Sequence, residues 1–189
     1  DQVRIQARDG LEFPVLVTQP PGKAQGPRPA VVLVHGGPWL RGFQWGWQAD
    51  AQFLASRGYV VIAPEMRGSA GYGLKHERAG FRQWGQAMQD DVADALRWAQ
   101  AQGLATNKAC IVGASYGGYS TLMGLIKDPD LYQCGVASLA VALGALIGMV
   151  AINQLPRLHH PLLFKKRFEG ASRDKFIIVV GSNDEKFCV

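Results

Sequence analysis

The chain has 189 residues, 48% of them hydrophobic and 19% charged, with a formal net charge of +5. That is enough to enclose one core and too apolar for a disordered chain. The charge excludes a nucleic-acid footprint, because only Lys165, Lys166 and Arg167 form a basic run and it reads as a solvated turn.

Val3 to Arg8 and Phe13 to Thr18 flank Asp9-Gly10 and predict a hairpin. The proline-rich stretch from Pro20 to Pro29 reads as a loop, and Ala30 to Val34 as a strand buried on both faces. That strand ends in His35-Gly36-Gly37-Pro38. Asp50 to Arg57 has helical character with Gly58 at its C-terminal cap, and Tyr59 to Ala63 is a second buried strand stopped by Pro64. A loop rich in glycine and aromatics follows. Met88, Val92, Leu96 and Ala99 then recur on one helical face, with Asp90, Asp91 and Asp94 near the start and Gly103 at the end. Ala109 to Val112 predicts a third buried strand, followed at once by a helix to Lys127. Gly135 to Ala137 and Phe176 to Val180 read as two further strands. The alternation argues for an α/β fold with a mostly parallel sheet and helices on both faces.

The texture changes near Ser138. Val136 to Ile152 carries no charge, and reads as a buried strand entering a core helix rather than a membrane span. Pro156 to Val189 holds 7 Lys or Arg against 4 Asp or Glu, so more than half of the net charge lies there. Cys110, Cys134 and Cys188 are odd in number and lack Cys-x-x-Cys spacing; the first two read as small core residues. The amino terminus lacks the build of a signal peptide, which favours the cytoplasm and leaves periplasm or secretion open.

The chemistry concentrates at Gly113-Ala114-Ser115-Tyr116-Gly117. It follows an apolar strand and opens a helix, the setting of a nucleophile elbow, where glycines permit a turn that lifts the serine hydroxyl to the carboxyl end of the sheet. The backbone N–H of Tyr116 is one candidate oxyanion donor, and the accessible amides of Gly36 and Gly37 supply the other. At the end of its strand, His35 suits ordering of this loop better than proton transfer. Asp184, in the turn after Phe176 to Val180, sits where a carboxylate could orient an imidazole. Arg67 is expected to brace its loop by pairing with Asp90 or Asp91, and Trp39, Trp45, Trp47 and Trp84 to pack over the loops.

Six motifs in order carry a resemblance: His35-Gly36-Gly37-Pro38-Trp39, Gln52 to Tyr59, Arg67 to Gly73, Gln83-Trp84-Gly85, Met88 to Asp91, and Gly113 to Tyr119. From Val3 to Ala137 the chain resembles the peptidase domain of the prolyl oligopeptidase family, in its acylaminoacyl-peptidase and dipeptidyl-aminopeptidase-like branch. The resemblance implies an α/β-hydrolase fold and a serine peptidase acting on short peptides, with no metal or organic cofactor. It makes Ser115 the nucleophile, Tyr116 with Gly36 and Gly37 the oxyanion hole, and Asp184 the triad aspartate. Residues 138–173 depart from the family. Its triad histidine follows the aspartate, whereas His35, His76, His159 and His160 all precede Asp184. The expectation is one α/β-hydrolase domain over residues 1–189, incomplete at its last strand and helix, without the family's β-propeller and impaired in turnover. Pro156 and Pro161 place His159 and His160 in a loop. A carboxylesterase of the same fold, and a non-catalytic or membrane-associated module on that scaffold, are the competing readings.

Overall fold

The β-branched runs of the sequence assemble into one sheet. The computed structural model describes residues 1–22, 26–44, 46–139, 164–166 and 175–181. The strands are β1 (Gln2–Gln6), β2 (Glu12–Thr18), β3 (Arg28–Val34), β4 (Val60–Pro64), β5 (Ala105–Ala114), β6 (Cys134–Leu139), β7 (Phe164–Lys166) and β8 (Lys175–Gly181). Their spatial order is β1-β2-β4-β3-β5-β6-β8-β7. The five inner strands from β4 to β8 run parallel, while β1, β2 and β7 pair antiparallel at the edges. The hairpin at Asp9-Gly10 forms as expected, with Gly10 at a φ of 88°.

Strand alternation divides the apolar side chains between two faces. Val32, Val34, Ile62 and Ile111 enter the main core, where they meet the predicted stripe Met88, Val92, Leu96 and Ala99 of α3 (Ala87–Ala101) and Tyr119 and Leu125 of α4 (Tyr116–Lys127). Each large apolar side chain buried there contributes on the order of 2 kcal/mol. Leu16, Leu33 and Ala63 form a second cluster with Phe43, and α1 (Ala49–Ser56) packs on β2 and β4. Every residue of β4 is buried, as a central strand covered on both faces requires. Because β3, β4 and β5 are parallel, the residues after them, His35, Glu65 and Ser115, emerge at one edge of the sheet.

Four local features differ from the sequence reading. Leu74–Ala79 is a short helix, α2, inside the expected loop; its six residues are too few to show a helical period. Lys165 and Lys166 belong to the edge strand β7 rather than to a turn, because β8 offers it an open antiparallel edge. The β5 strand begins at Ala105, before its apolar run. Cys110 and Cys134 are also more than core residues: parallel register sets them opposite each other, Cα atoms 4.7 Å apart, joined by a disulfide.

Candidate active site

Ser115 occupies the single residue between β5 and α4. Its backbone lies at φ 57° and ψ −119°, a conformation that costs an L-residue about 1–3 kcal/mol. The flanking glycines make the turn possible. A Cβ on Gly113 would stand 2.5 Å from the Gly117 carbonyl, and one on Gly117 would stand 2.1 Å from the Val34 carbonyl oxygen. The turn therefore closes only where β5, α4 and β3 touch backbone to backbone. Ser115 stands at the N-terminal cap of α4, yet its hydroxyl makes no capping bond. A half-buried hydroxyl at a helix N-terminus, free of that duty, is placed to meet an electrophile and the anion it becomes.

The loop after β3 lies against this serine. A Cβ on Gly36 would be 3.3 Å from Ser115 Cβ and 3.9 Å from its Oγ, so the Gly36 backbone borders the nucleophile directly. Gly37 follows in the left-handed region at φ 62°, and its carbonyl accepts from Leu40 N–H at 2.8 Å. Tyr116 is buried, and its ring meets Trp84 edge-on at 5.1 Å. Trp84 stacks on Trp39 at 6.5 Å. Trp84 and Trp39 pack as expected, Trp39 keeping its outer face in solvent at 64% exposure, whereas Trp47 is 80% exposed and packing does not account for it. Trp45 lies outside the described residues.

Neither described histidine is poised as a base for Ser115. The buried His35 sets Nδ1 2.9 Å from the Gly36 carbonyl oxygen and Nε2 3.1 Å from Ser69 Oγ, and burial pushes its pKa down. That is the loop-ordering place the sequence suggests for it. His76 is buried as well, with Nε2 3.1 Å from the Met66 carbonyl oxygen.

A network of charges fixes the loop beyond β4. Arg67 pairs with Asp91, as the sequence anticipates, and also with Asp9, at 2.7 and 2.6 Å. Its Nε and N–H also donate to Asp91, which is wholly buried. Arg8 donates to Asp94, so the hairpin is bolted to α3. Arg67 is thereby occupied as a brace.

Asp184, His159, His160 and Cys188 lie outside the described residues, as does most of Val136 to Ile152. Among the described residues, no three His, Cys, Asp or Glu side chains are grouped to hold a metal, and no helix is long and apolar enough to cross a membrane. Sequence reasoning overlooked Glu65, a fully buried carboxylate between His35 and the loop at Gly42. Its one signal is an acid directly after a wholly apolar strand.

A strained serine between a parallel strand and a helix, with a glycine loop from a neighbouring strand beside it, defines an α/β-hydrolase. Comparison with known proteins agrees. Residues 45–145 match the prolyl oligopeptidase family, and the chain belongs to it. Dipeptidyl aminopeptidase BIII of Pseudoxanthomonas mexicana is 44% identical over 71% of this chain and 20% of its own length. Dipeptidyl peptidase family member 6 of Caenorhabditis elegans is 40% identical over 58% of this chain and 15% of its own. Among solved structures, the Pyrococcus horikoshii acylaminoacyl peptidase superposes with a TM-score of 0.65 at 26% identity, covering 73% of this chain and 22% of that one. A puromycin-hydrolyzing peptidase of Mycobacterium tuberculosis gives 0.67 at 28% identity, over 73% and 22%. The chain thus spans about a fifth of the length of these relatives. Residues 134–189 match a different family, described as the ActD subunit of alternative complex III.

Proposed function

We propose that this chain carries the nucleophile half of a serine peptidase acting on short peptides. Ser115 Oγ attacks the scissile carbonyl while Tyr116 N–H with the Gly36–Gly37 loop receives the oxyanion. The C–N bond breaks and the amine leaves carrying a proton relayed through solvent from the serine hydroxyl; water then hydrolyses the acyl ester to the free acid and restores the hydroxyl. The observation that carries the reading is the strained Ser115 turn with Gly36 against it. One oxyanion donor contributes about 3 kcal/mol to the barrier. Asp184 is the sequence's choice for the imidazole-orienting carboxylate. It lies past residue 145, where the prolyl oligopeptidase match stops, and the proposal does not lean on it.

With both described histidines engaged elsewhere, the expected chemistry is residual, on the order of 10³–10⁴ over water. An aminoacyl anilide and a short-chain acyl ester, assayed side by side, test this. The expected result is slow release from the anilide, accompanied by fluorophosphonate labelling that Ser115→Ala abolishes. Labelling that survives that substitution contradicts the nucleophile assignment, turnover at about 1 per second or faster shows that a base reaches Ser115, and release from the ester alone favours a carboxylesterase.

The second reading is a non-catalytic module on a hydrolase scaffold, favoured by one observation: residues 146–189, which include Asp184, lie beyond the prolyl oligopeptidase match and inside the match to the ActD subunit of alternative complex III. Complete inertness toward both substrates in a folded chain supports it. The Cys110–Cys134 disulfide supports an oxidising compartment over the cytoplasm.

A further inference from the structure

Glu65 directly follows β4 and is wholly buried, a position a carboxylate occupies only with partners. It has them on the returning arm of the oxyanion loop. Oε2 accepts from Gly42 N–H at 3.2 Å, and Oε1 accepts a short bond from Phe43 N–H. Gly42 in turn lies against the His35 ring, where an added Cβ would be 2.0 Å from Cγ. The Phe43 ring meets the same imidazole edge-on at 5.7 Å, and Glu65 Oε2 stands 3.8 Å from its Nε2.

The imidazole passes this constraint on. A carbonyl only accepts, so His35 Nδ1–H donates to the Gly36 oxygen 2.9 Å away. The peptide unit is planar and trans, so fixing the Gly36 carbonyl also fixes the Gly37 N–H, which points the opposite way. Gly36 is the residue lying against Ser115.

We propose that Glu65 is a positioning residue for the oxyanion loop: its carboxylate clamps the Gly42 and Phe43 amides over His35, and through that ring sets the Gly36–Gly37 peptide beside Ser115. The clamp is a geometric claim; its catalytic consequence rests on the reading of Ser115 as nucleophile. A carboxylate suits the task because it offers acceptors alone. In Glu65→Gln one oxygen becomes an NH₂ that faces an amide N–H, so the variant keeps one clamp bond of the two.

Residue-resolved hydrogen exchange on the 189-residue chain tests the clamp without requiring activity. The expected result is exchange at Gly42 and Phe43 about tenfold faster in Glu65→Ala and faster by a smaller factor in Glu65→Gln, with α3 amides unchanged. Unchanged exchange at Gly42 and Phe43, or acceleration shared equally by α3, overturns the proposal. Should Glu65→Ala fail to fold, Glu65→Gln carries the same comparison. Fluorophosphonate labelling of Ser115 in the same proteins reads the consequence: about tenfold slower labelling in Glu65→Ala, partly restored in Glu65→Gln. Equal labelling rates in all three overturn the proposal. A wild-type chain that never labels contradicts the nucleophile reading instead, and the exchange result then decides on Glu65.

Discussion

Ser115 holds a backbone conformation that glycine adopts freely and serine does not, so the strain belongs to the position and not to the side chain's contacts. Ser115→Gly is expected to raise stability by about 1 kcal/mol in urea unfolding while removing the hydroxyl; a loss of stability would show that the turn is not strained. Gly117→Ala is expected to cost about 3 kcal/mol or prevent folding, since its Cβ would meet the Val34 oxygen at 2.1 Å. These glycines were legible in the sequence because close backbone approach leaves a spaced motif. Glu65 was not, because its partners are the amides of Gly42 and Phe43, twenty-odd residues earlier, and an amide partner leaves no side-chain pattern to read.

The elements that hold the site are tied by charge and by sulfur. Arg67 joins the hairpin at Asp9 to α3 at Asp91, and Arg67→Ala would leave Asp91 buried without its cation, a cost of about 3–5 kcal/mol readable in the urea midpoint. The Arg67 hydrogen bonds hold the Asp9 carboxyl down at about 2, against an ordinary value of 3.8. A depressed carboxylate adds stability that is complete above its unfolded pKa and is lost as pH falls through the folded one. The midpoint should therefore drop between about pH 4 and pH 2, and Asp9→Asn should flatten part of that drop. Asp94 supplies another part: burial pushes its carboxyl up, but the Arg8 hydrogen bonds together with the Arg8 and Arg97 charges hold it below its ordinary value. An identical acid profile in Asp9→Asn would contradict the assignment. The disulfide links β5, which leads into Ser115, to β6 and closes a loop of sequence separation 24, contributing about 3 kcal/mol that reductant should remove. A midpoint indifferent to reductant would show the thiols unpaired. The pairing escaped sequence reading because two cysteines 24 residues apart meet only through the parallel register of β5 and β6.

At the scale of the molecule, the apolar runs announced the parallel sheet, the six ordered motifs announced the family, and both hold for the strands that carry His35, Glu65 and Ser115. The change of texture read near Ser138 coincides with the place where two family matches meet, one ending at residue 145 and the other starting at residue 134, both on or just beyond β6. The sheet nevertheless continues across that point, with β8 parallel to β6. Sheet pairing uses backbone groups common to all sequences, so a strand can complete the architecture without bringing the side chains a triad needs. The fold and the strained Ser115 turn were therefore readable from local pattern, whereas the proposed triad partners call for side chains that such a pattern does not specify.

The central claim is that Ser115, and no other group, is the nucleophile of this sheet edge. Prolonged exposure of the 189-residue chain to a fluorophosphonate, followed by peptide mapping of the adduct, tests it most directly. The account predicts slow labelling confined to Ser115 and absent from Ser115→Ala; an adduct on another residue, or one undiminished in Ser115→Ala, would contradict it.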